Sequence, residues 1–79
     1  MPNQDLPLHT HVQLAVERYL NTLEGEEPND VYALFLAQLE KPLLEAILRY
    51  THGNQSRTAK ILGVNRGTLR SKLKQHGLL

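Results

Sequence analysis

The sequence predicts an all-α fold of four helices, in which a two-helix dimerisation hairpin is followed by a C-terminal helix-turn-helix. Apolar residues recur every three or four positions through the first two-thirds of the chain, as on one face of a helix. No segment shows the alternation of apolar and polar residues that marks a half-buried strand. In the last third, Ala59, Gly63 and Leu69 have the four- and six-residue spacings of a helix-turn-helix. These observations divide the chain into a flexible N-terminus (1–7), a helical dimerisation region (8–52) and a helix-turn-helix region (53–79).

A chain of 79 residues without cysteine forms one small domain that no disulfide supports. Its four histidines are scattered, and His9 and His11, two residues apart, would point in different directions on a helix. We therefore expect no metal and no cofactor, and oligomerisation as the source of stability. No apolar run approaches the ~18 residues of a membrane span, and the N-terminus lacks a signal pattern, so we expect a cytoplasmic location.

The first helix is predicted to begin between Leu8 and Thr10 and to end near Leu23. Before it, residues 1–7 are polar with two prolines and are predicted to be flexible. Gly25 is expected to stop the helix from the position that follows its C-terminal cap. The apolar face of this helix has three- and four-residue spacing and consists of Val12, Val16, Tyr19, Leu20 and Leu23.

The second helix is predicted to run from about Asp30 to Tyr50 or Thr51. Asn29 is interpreted as its N-cap, and Asp30 places a negative charge in the first turn, where the helix dipole favours it. Pro42 lies in the middle of this segment. Since the apolar pattern continues on both sides of the proline, we predict one kinked helix, with two separate helices as the alternative.

These two helices contain more apolar residues than one helical pair can cover. An antiparallel pair leaves an apolar face on each member, and two copies of the chain would cover both faces by forming a four-helix core. We therefore predict a homodimer, with burial against an unknown partner as the alternative. The apolar positions of the second helix are Val31, Leu34, Phe35, Leu39, Leu43, Leu44, Ile47, Leu48 and Tyr50.

The third and fourth helices are predicted over residues 55–62 and 66–75. Gly53 is expected to end the second helix in the left-handed conformation, and Asn54 to cap the third helix. Gly63 lies in the turn, where a positive φ is expected, and Gly77 ends the fourth helix. The core of this motif is predicted to contain Ala59, Ile61, Leu62, Val64, Leu69 and Leu73.

Charge is distributed unequally along the chain. Residues 1–53 contain three basic and eight acidic residues, a net charge of −5, whereas residues 54–79 contain six basic residues and no acid. A cationic end attracts a polyanion, and the counterions that it displaces give a salt-sensitive affinity. Together with the helix-turn-helix, this charge predicts that residues 53–79 bind double-stranded DNA. The acidic residues are interpreted as solubilising. A structural hairpin with a solvated charged face is the alternative.

Arg66 is the best candidate for reading a base. It lies in the first turn of the recognition helix, and its guanidinium group matches O6 and N7 of guanine. A phosphate contact is its alternative. Asn65 either caps this helix or reaches a base edge, and Thr68 and Arg70 are expected to touch phosphates. The predicted DNA-binding residues are Asn54, Ser56, Arg57, Asn65, Arg66, Thr68, Arg70, Lys72 and Lys74.

The other predicted contacts are with the DNA backbone. Lys72 and Lys74 contact phosphates or raise the local potential. Asn54, Gln55, Ser56 and Arg57 begin the first helix of the motif, where free amides and the helix dipole face a phosphate, with capping alone as the alternative. No nucleophile with a base, no phosphate-binding glycine loop and no metal-ligand spacing is present in the sequence, so we do not expect an enzyme.

The end of the chain closely resembles the C-terminal end of the Fis (factor for inversion stimulation) family: residues 53–77 read GNQSRTAKILGVNRGTLRSKLKQHG. Residues 26–51, EEPNDVYALFLAQLEKPLLEAILRYT, match as well, including the mid-helix proline and the PLL run. The resemblance covers about residues 8–78. The C-terminal motif alone is shared with the DNA-binding domain of NtrC-type activators, and the preceding helical pair favours the Fis family.

The resemblance implies an intertwined homodimer with two helix-turn-helix units. Such a dimer binds loosely defined sites, bends DNA, compacts the nucleoid and modulates transcription. In this family the two recognition helices lie closer than one turn of DNA, so the duplex must bend to admit both, and its deformability contributes to specificity. The nine residues named above occupy the family's DNA-contacting positions.

Two differences from the family pattern affect these expectations. Ser71 stands where the family often has lysine, so one basic contact is weakened or replaced by a hydroxyl group. About seven residues precede the first helix, whereas the family's invertase-activating arm is a longer β-hairpin, so we expect DNA binding and bending without inversion stimulation. Two alternative functions stay open: a separately expressed DNA-binding domain of an NtrC-type activator, and a helical protein-interaction adaptor.

Overall fold

The fold was analysed in a computed structural model that describes residues 5–79. It contains four α-helices, α1 (Leu8–Asn21), α2 (Val31–Tyr50), α3 (Gln55–Leu62) and α4 (Arg66–Gln75), and no strand within the described range. The prediction of an all-α, four-helix fold is confirmed. The predicted flexible N-terminus (1–7) includes residues 1–4, which lie outside the described residues. No helix of residues 5–79 is long and apolar enough to cross a lipid bilayer.

The chain forms two compact units, of which the first ends at Phe35. In this unit α1 ends two residues before the predicted Leu23, because Thr22 competes for the last carbonyls: its Oγ1 hydroxyl and its backbone N–H both donate to the carbonyl of Tyr19, at 2.7 and 3.0 Å. The prediction that Gly25 follows the C-terminal cap is therefore wrong. The rings of Tyr19 and Phe35 pack edge to face, with centroids 5.7 Å apart.

The second helix begins one residue later than expected. Asp30 has a φ of +54° and its carbonyl accepts the N–H of Leu34 at 3.1 Å, so Asp30 occupies the N-cap position that was predicted for Asn29. Its charge lies before the first turn rather than in it. From Val31 the helix continues through Pro42 to Tyr50, and the alternative of two separate helices is wrong.

At its C-terminus α2 is closed by two residues with positive φ. The N–H of His52 donates to the carbonyl of Arg49 at 3.2 Å, and the N–H of Gly53 donates to the carbonyl of Leu48 at 2.9 Å. This is the bonding pattern of a Schellman motif, with His52 at the left-handed position and Gly53 after it. Gly53 has the predicted positive φ, and His52 shares this conformation. The motif turns the chain into Asn54 and α3.

The second unit, Leu36–Leu79, has its core between α2, α3 and α4. Leu44, Ala59, Leu69 and Leu73 are buried. Leu48, Leu62, Val64 and Leu78 pack against them. The core positions predicted from the motif are confirmed with one exception.

Ile61 was predicted to complete the core, but its side chain is exposed. It lies two residues after the buried Ala59, and two residues rotate a helix by about 200°, so Ile61 faces away from the core. Gly63 has the predicted positive φ, +78°, and its N–H donates to the carbonyl of Ala59 at 2.9 Å. This left-handed residue ends α3 and directs the chain into α4.

Candidate nucleic-acid interface

The two helices of the C-terminal motif each begin with an asparagine cap. Oδ1 of Asn54 accepts the N–H of Arg57 at 3.0 Å, and Oδ1 of Asn65 accepts the N–H of Thr68 at 2.8 Å. Each cap therefore uses the side-chain carbonyl oxygen to fix the start of its helix. The Nδ2 group of each amide is a separate donor that these caps do not use.

Arg66, Arg70 and Lys74 form a stripe of exposed cations along α4, which we call the cationic stripe. They are spaced four residues apart and so lie side by side on one face of the helix. Leu69 and Leu73, on the adjoining face, are fully buried. Burial of these two leucines fixes the rotation of α4 about its axis and leaves the cationic stripe accessible to a ligand.

Two of the predicted DNA-binding arginines, Arg70 and Arg57, contact neighbouring side chains of the same chain. The Nη1 atom of Arg70 donates to Oε1 of Gln55 at 3.2 Å, which joins the middle of α4 to the start of α3. The guanidinium carbon of Arg57 lies 5.2 Å from the centroid of the Tyr50 ring, in a cation–π contact. Each contact restricts an otherwise mobile side chain, so that side chain loses less conformational entropy when it binds an anion.

Eight of the nine predicted DNA-binding residues are exposed, and Lys72 is half-buried. The Nζ atom of Lys72 lies 2.8 Å from Oε2 of Glu40, and Nε2 of His76 lies 2.8 Å from Oε1 of the same carboxylate. A single acid on α2 thus contacts Lys72 of α4 and His76, the residue that caps the C-terminus of α4. The hydrogen bonds from Lys72 and then His76 lower the pKa of Glu40.

The sequence predicted which side chains of this surface are exposed, Lys72 excepted, but missed Glu40, His76 and Tyr50. Glu40 was interpreted as one of the solubilising acids, although only 15% of its side chain is exposed. Lys72 follows it by 32 positions, and no local spacing signals a contact over that separation. Among residues 5–79, no three histidine or carboxylate side chains converge to hold a metal ion.

The family described as "Bacterial regulatory protein, Fis family" matches residues 35–76 of the chain. This range includes α3, α4, both asparagine caps and Glu40. It covers more than half of the 79 residues, and it extends well upstream of the helix-turn-helix into α2.

Several proteins named "DNA-binding protein Fis" are similar to the chain over nearly its whole length. The protein of Mannheimia haemolytica is 49% identical over 72 residues, which are 91% of this chain and 74% of that protein. The protein of Haemophilus influenzae strain PittEE is 51% identical over 72 residues, 91% of this chain and 73% of that protein. The protein of Glaesserella parasuis is 47% identical over 74 residues, 94% of this chain and 76% of that protein.

Proposed function

Because the chain belongs to the Fis family of bacterial regulatory proteins, we propose that it is a homodimeric, nucleoid-associated regulator that binds and bends double-stranded DNA. Membership in this family makes the chain a DNA-binding regulator and not an enzyme. In the proposed arrangement, residues 8–52 form the dimer, and residues 53–79 of each copy place α4 in the major groove of the duplex.

The cationic stripe is the observation that carries the proposal. Arg66, Arg70 and Lys74 are exposed along one side of a ten-residue helix whose start is fixed by the cap at Asn65. A helix of this width fits the major groove, and its first turn is the part that reaches base edges. The stripe therefore supports a role in which Arg66 reads a base and Arg70 and Lys74 bind phosphates.

The start of α3 supplies a second set of proposed phosphate contacts. Asn54, Ser56 and Arg57 are exposed there, next to the unpaired amides and the positive dipole end of the helix. Arg57 is already oriented by the ring of Tyr50. Contacts of this kind position a protein on the duplex without selecting a sequence.

The apolar surface of each unit supports the proposed homodimer. In the first unit Val12, Leu14 and Leu20 are exposed, and no residue of α1 is buried. In the second unit Leu36, Leu39 and Leu43 are exposed on α2. Side chains of this size favour burial by about 1.5–3 kcal/mol each. A second copy of the chain would cover them, as the four-helix arrangement requires.

The proposed bending follows from the spacing of two recognition helices in one dimer. If these helices lie closer than one turn of the duplex, both can enter successive major grooves only when the DNA curves toward the protein. The energy of that deformation depends on the sequence being deformed, which allows loosely defined sites. Ser71, where the family often has lysine, reduces the basic contacts on α4 by one.

Three measurements test the proposal. Light scattering of the full chain with and without a duplex gives the oligomeric state of both species, and a gel-shift titration across a salt series gives the affinity and its salt dependence. We expect a dimer alone, a dimer on one duplex, and affinity that falls steeply with salt. A duplex carrying the site at permuted positions then reports bending through its mobility.

A monomer that ignores DNA at low ionic strength would contradict the proposal. A dimer without DNA binding would instead favour a helical adaptor that binds protein through its apolar surface. The matches to relatives extend over α1 and α2 as well as the C-terminal motif, which favours a Fis-type protein over an isolated activator domain.

A further inference from the structure

Glu40 connects α2 to the side of the recognition helix that lies away from the cationic stripe. Its two carboxylate oxygens are 2.8 Å from Nζ of Lys72 and 2.8 Å from Nε2 of His76. Lys72 and His76 are four residues apart, so both lie on the same side of α4. The exposed fractions of the Glu40 and His76 side chains are 15% and 7%. The Glu40 carboxylate and the His76 ring are therefore shielded from solvent, whereas 36% of the Lys72 side chain remains exposed.

The contact with Glu40 reduces the ability of Lys72 to neutralise a DNA phosphate. The ammonium group already has a carboxylate as its counterion, and the pair as a whole carries no net charge. A cation that is paired within the protein adds no phosphate neutralisation and releases no counterion from DNA. For phosphate to take Lys72, the Glu40 carboxylate would have to be left half-buried without this partner, which is unfavourable.

Resting on the proposed DNA-binding function, we propose that Glu40 withholds Lys72 from phosphate and thereby limits the sequence-independent part of the affinity for DNA. Phosphate charge supplies nearly all of the affinity for random DNA, whereas base reading is assigned to Arg66 in the first turn of the helix. Removing one cation from phosphate binding lowers affinity for every duplex. The loss in free energy is the same for every duplex, so the contact with Glu40 limits the general affinity for DNA and does not alter the choice among sites.

The proposal separates Lys72 from Lys74, which are two residues apart on the same helix. Lys74 belongs to the cationic stripe, and Lys72 belongs to the cluster with Glu40. Both were expected to contact the DNA backbone from the sequence alone. The test compares them by the slope of log affinity against log salt concentration, because each phosphate bound contributes about 0.9 to that slope.

Four variants of the full chain are titrated against a random duplex and a preferred duplex: Glu40→Gln, Lys72→Gln, the double variant Glu40→Gln/Lys72→Gln, and Lys74→Gln. Circular dichroism at the titration temperature checks that each is folded. We expect Lys74→Gln to lower the slope by about 0.9 per helix-turn-helix. The double variant removes a neutral pair and should keep the wild-type slope and an affinity within about twofold.

Glu40→Gln should strengthen DNA binding, whereas a damaging mutation would weaken it. It frees Lys72, so the salt slope should become steeper, and the random and preferred duplexes should both bind more tightly by a similar factor, roughly 3- to 10-fold. A merely structural role for Glu40 would weaken binding to both. If the freed Lys72 causes this gain in DNA affinity, the gain should be absent from the double variant Glu40→Gln/Lys72→Gln.

A double variant that loses as much slope and affinity as Lys74→Gln would overturn the proposal, since Lys72 would then be an ordinary phosphate contact. Should Glu40→Gln fail to fold, Lys72→Gln decides alone: an unchanged slope supports the proposal and a slope lowered like that of Lys74→Gln overturns it. Failure of the proposed function is visible separately, because the wild-type chain would then bind neither duplex at low salt.

Discussion

The hydroxyl oxygens of Thr51 and Thr58 lie 2.7 Å apart, and both side chains are buried. Oγ1 of Thr58 also donates to the backbone carbonyl of Asn54 at 2.8 Å. Oγ1 of Thr51 also lies 3.2 Å from the carbonyl of Leu48, which accepts from it. Each hydroxyl has one proton, so two protons serve these three contacts and either threonine can donate to the other. This chain of hydrogen bonds joins the end of α2 to the first turn of α3. It thereby holds the cap residue at the corner where the proposed phosphate contacts begin.

Replacing Thr58 by valine should destabilise the fold by about 1–2 kcal/mol, because the isosteric side chain loses the hydrogen bond to the carbonyl of Asn54 and the bond shared with Thr51. The hydroxyl of Thr51 keeps the carbonyl of Leu48, 3.2 Å away, as its acceptor. Thr22→Val is the matched control, since the hydroxyl of Thr22 is exposed and donates to a carbonyl that also accepts a backbone N–H. Chemical denaturation at fixed protein concentration measures both. Equal losses for the two variants would show that the buried pair contributes nothing specific.

Arg66→Ala should cost about 1–3 kcal/mol of binding to a preferred duplex and should relax sequence preference, because a bidentate base contact is lost. Lys74→Ala should weaken binding to all duplexes alike and reduce the salt slope. Competition titrations with preferred and random duplexes distinguish the two. If Arg66→Ala weakens both duplexes equally, Arg66 contacts phosphate and does not read a base.

Asn65 caps α4 and is also a candidate for reading a base, and two substitutions separate these roles. Asn65→Ala should destabilise the fold by about 1 kcal/mol through loss of the cap, whereas Asn65→Ser should restore most of that stability because serine caps nearly as well. Serine is too short to replace the amide at a base edge. Full stability with reduced discrimination between duplexes would assign base reading to Asn65, and full recovery of both properties would leave it as a cap only.

Gly63→Ala should destabilise the chain by about 1 kcal/mol through backbone strain alone. The φ of Gly63 is +78°, but a Cβ there would meet no atom within 4 Å. Gly67→Ala, inside α4, is the control with the opposite sign: a Cβ at Gly67 would make only an ordinary 3.5 Å contact with Oδ1 of Asn65, and alanine favours the helix. Thermal unfolding of the two variants should therefore shift in opposite directions.

The Glu40 cluster should make stability depend on pH below neutrality. The pKa of Glu40 is lowered from its ordinary value of 4.5, first by the hydrogen bond from Lys72 and then by that from His76. The unfolded chain therefore binds the proton more readily than the folded chain, so stability is fully present above pH 4.5 and is lost as pH falls through the lowered folded value. Wild type should lose more stability than Glu40→Gln over that interval. Parallel pH profiles in denaturant titrations would contradict this linkage.

The helices were predictable because their signals are local. The sequence-based ranges for α3 and α4 agree with the structure, since asparagine caps, a turn glycine and apolar spacing all act within a few residues. The errors are local as well: Thr22 ends α1 early through its own hydroxyl, and Asp30 takes a left-handed conformation that composition does not signal. Ile61 was assigned to the core for its hydrophobicity, although its helical position faces outward.

The sequence by itself determined the all-α class, the position of the helix-turn-helix and the cationic character of its outer face, because each depends on neighbours within one or two turns. Only the tertiary structure decided which cationic side chains have a partner within the protein. Glu40 precedes Lys72 and His76 by 32 and 36 positions, and Gln55 precedes Arg70 by 15. Such partners are chosen by how the helices pack, since a carboxylate can pair with any cation that the packing brings within 3 Å.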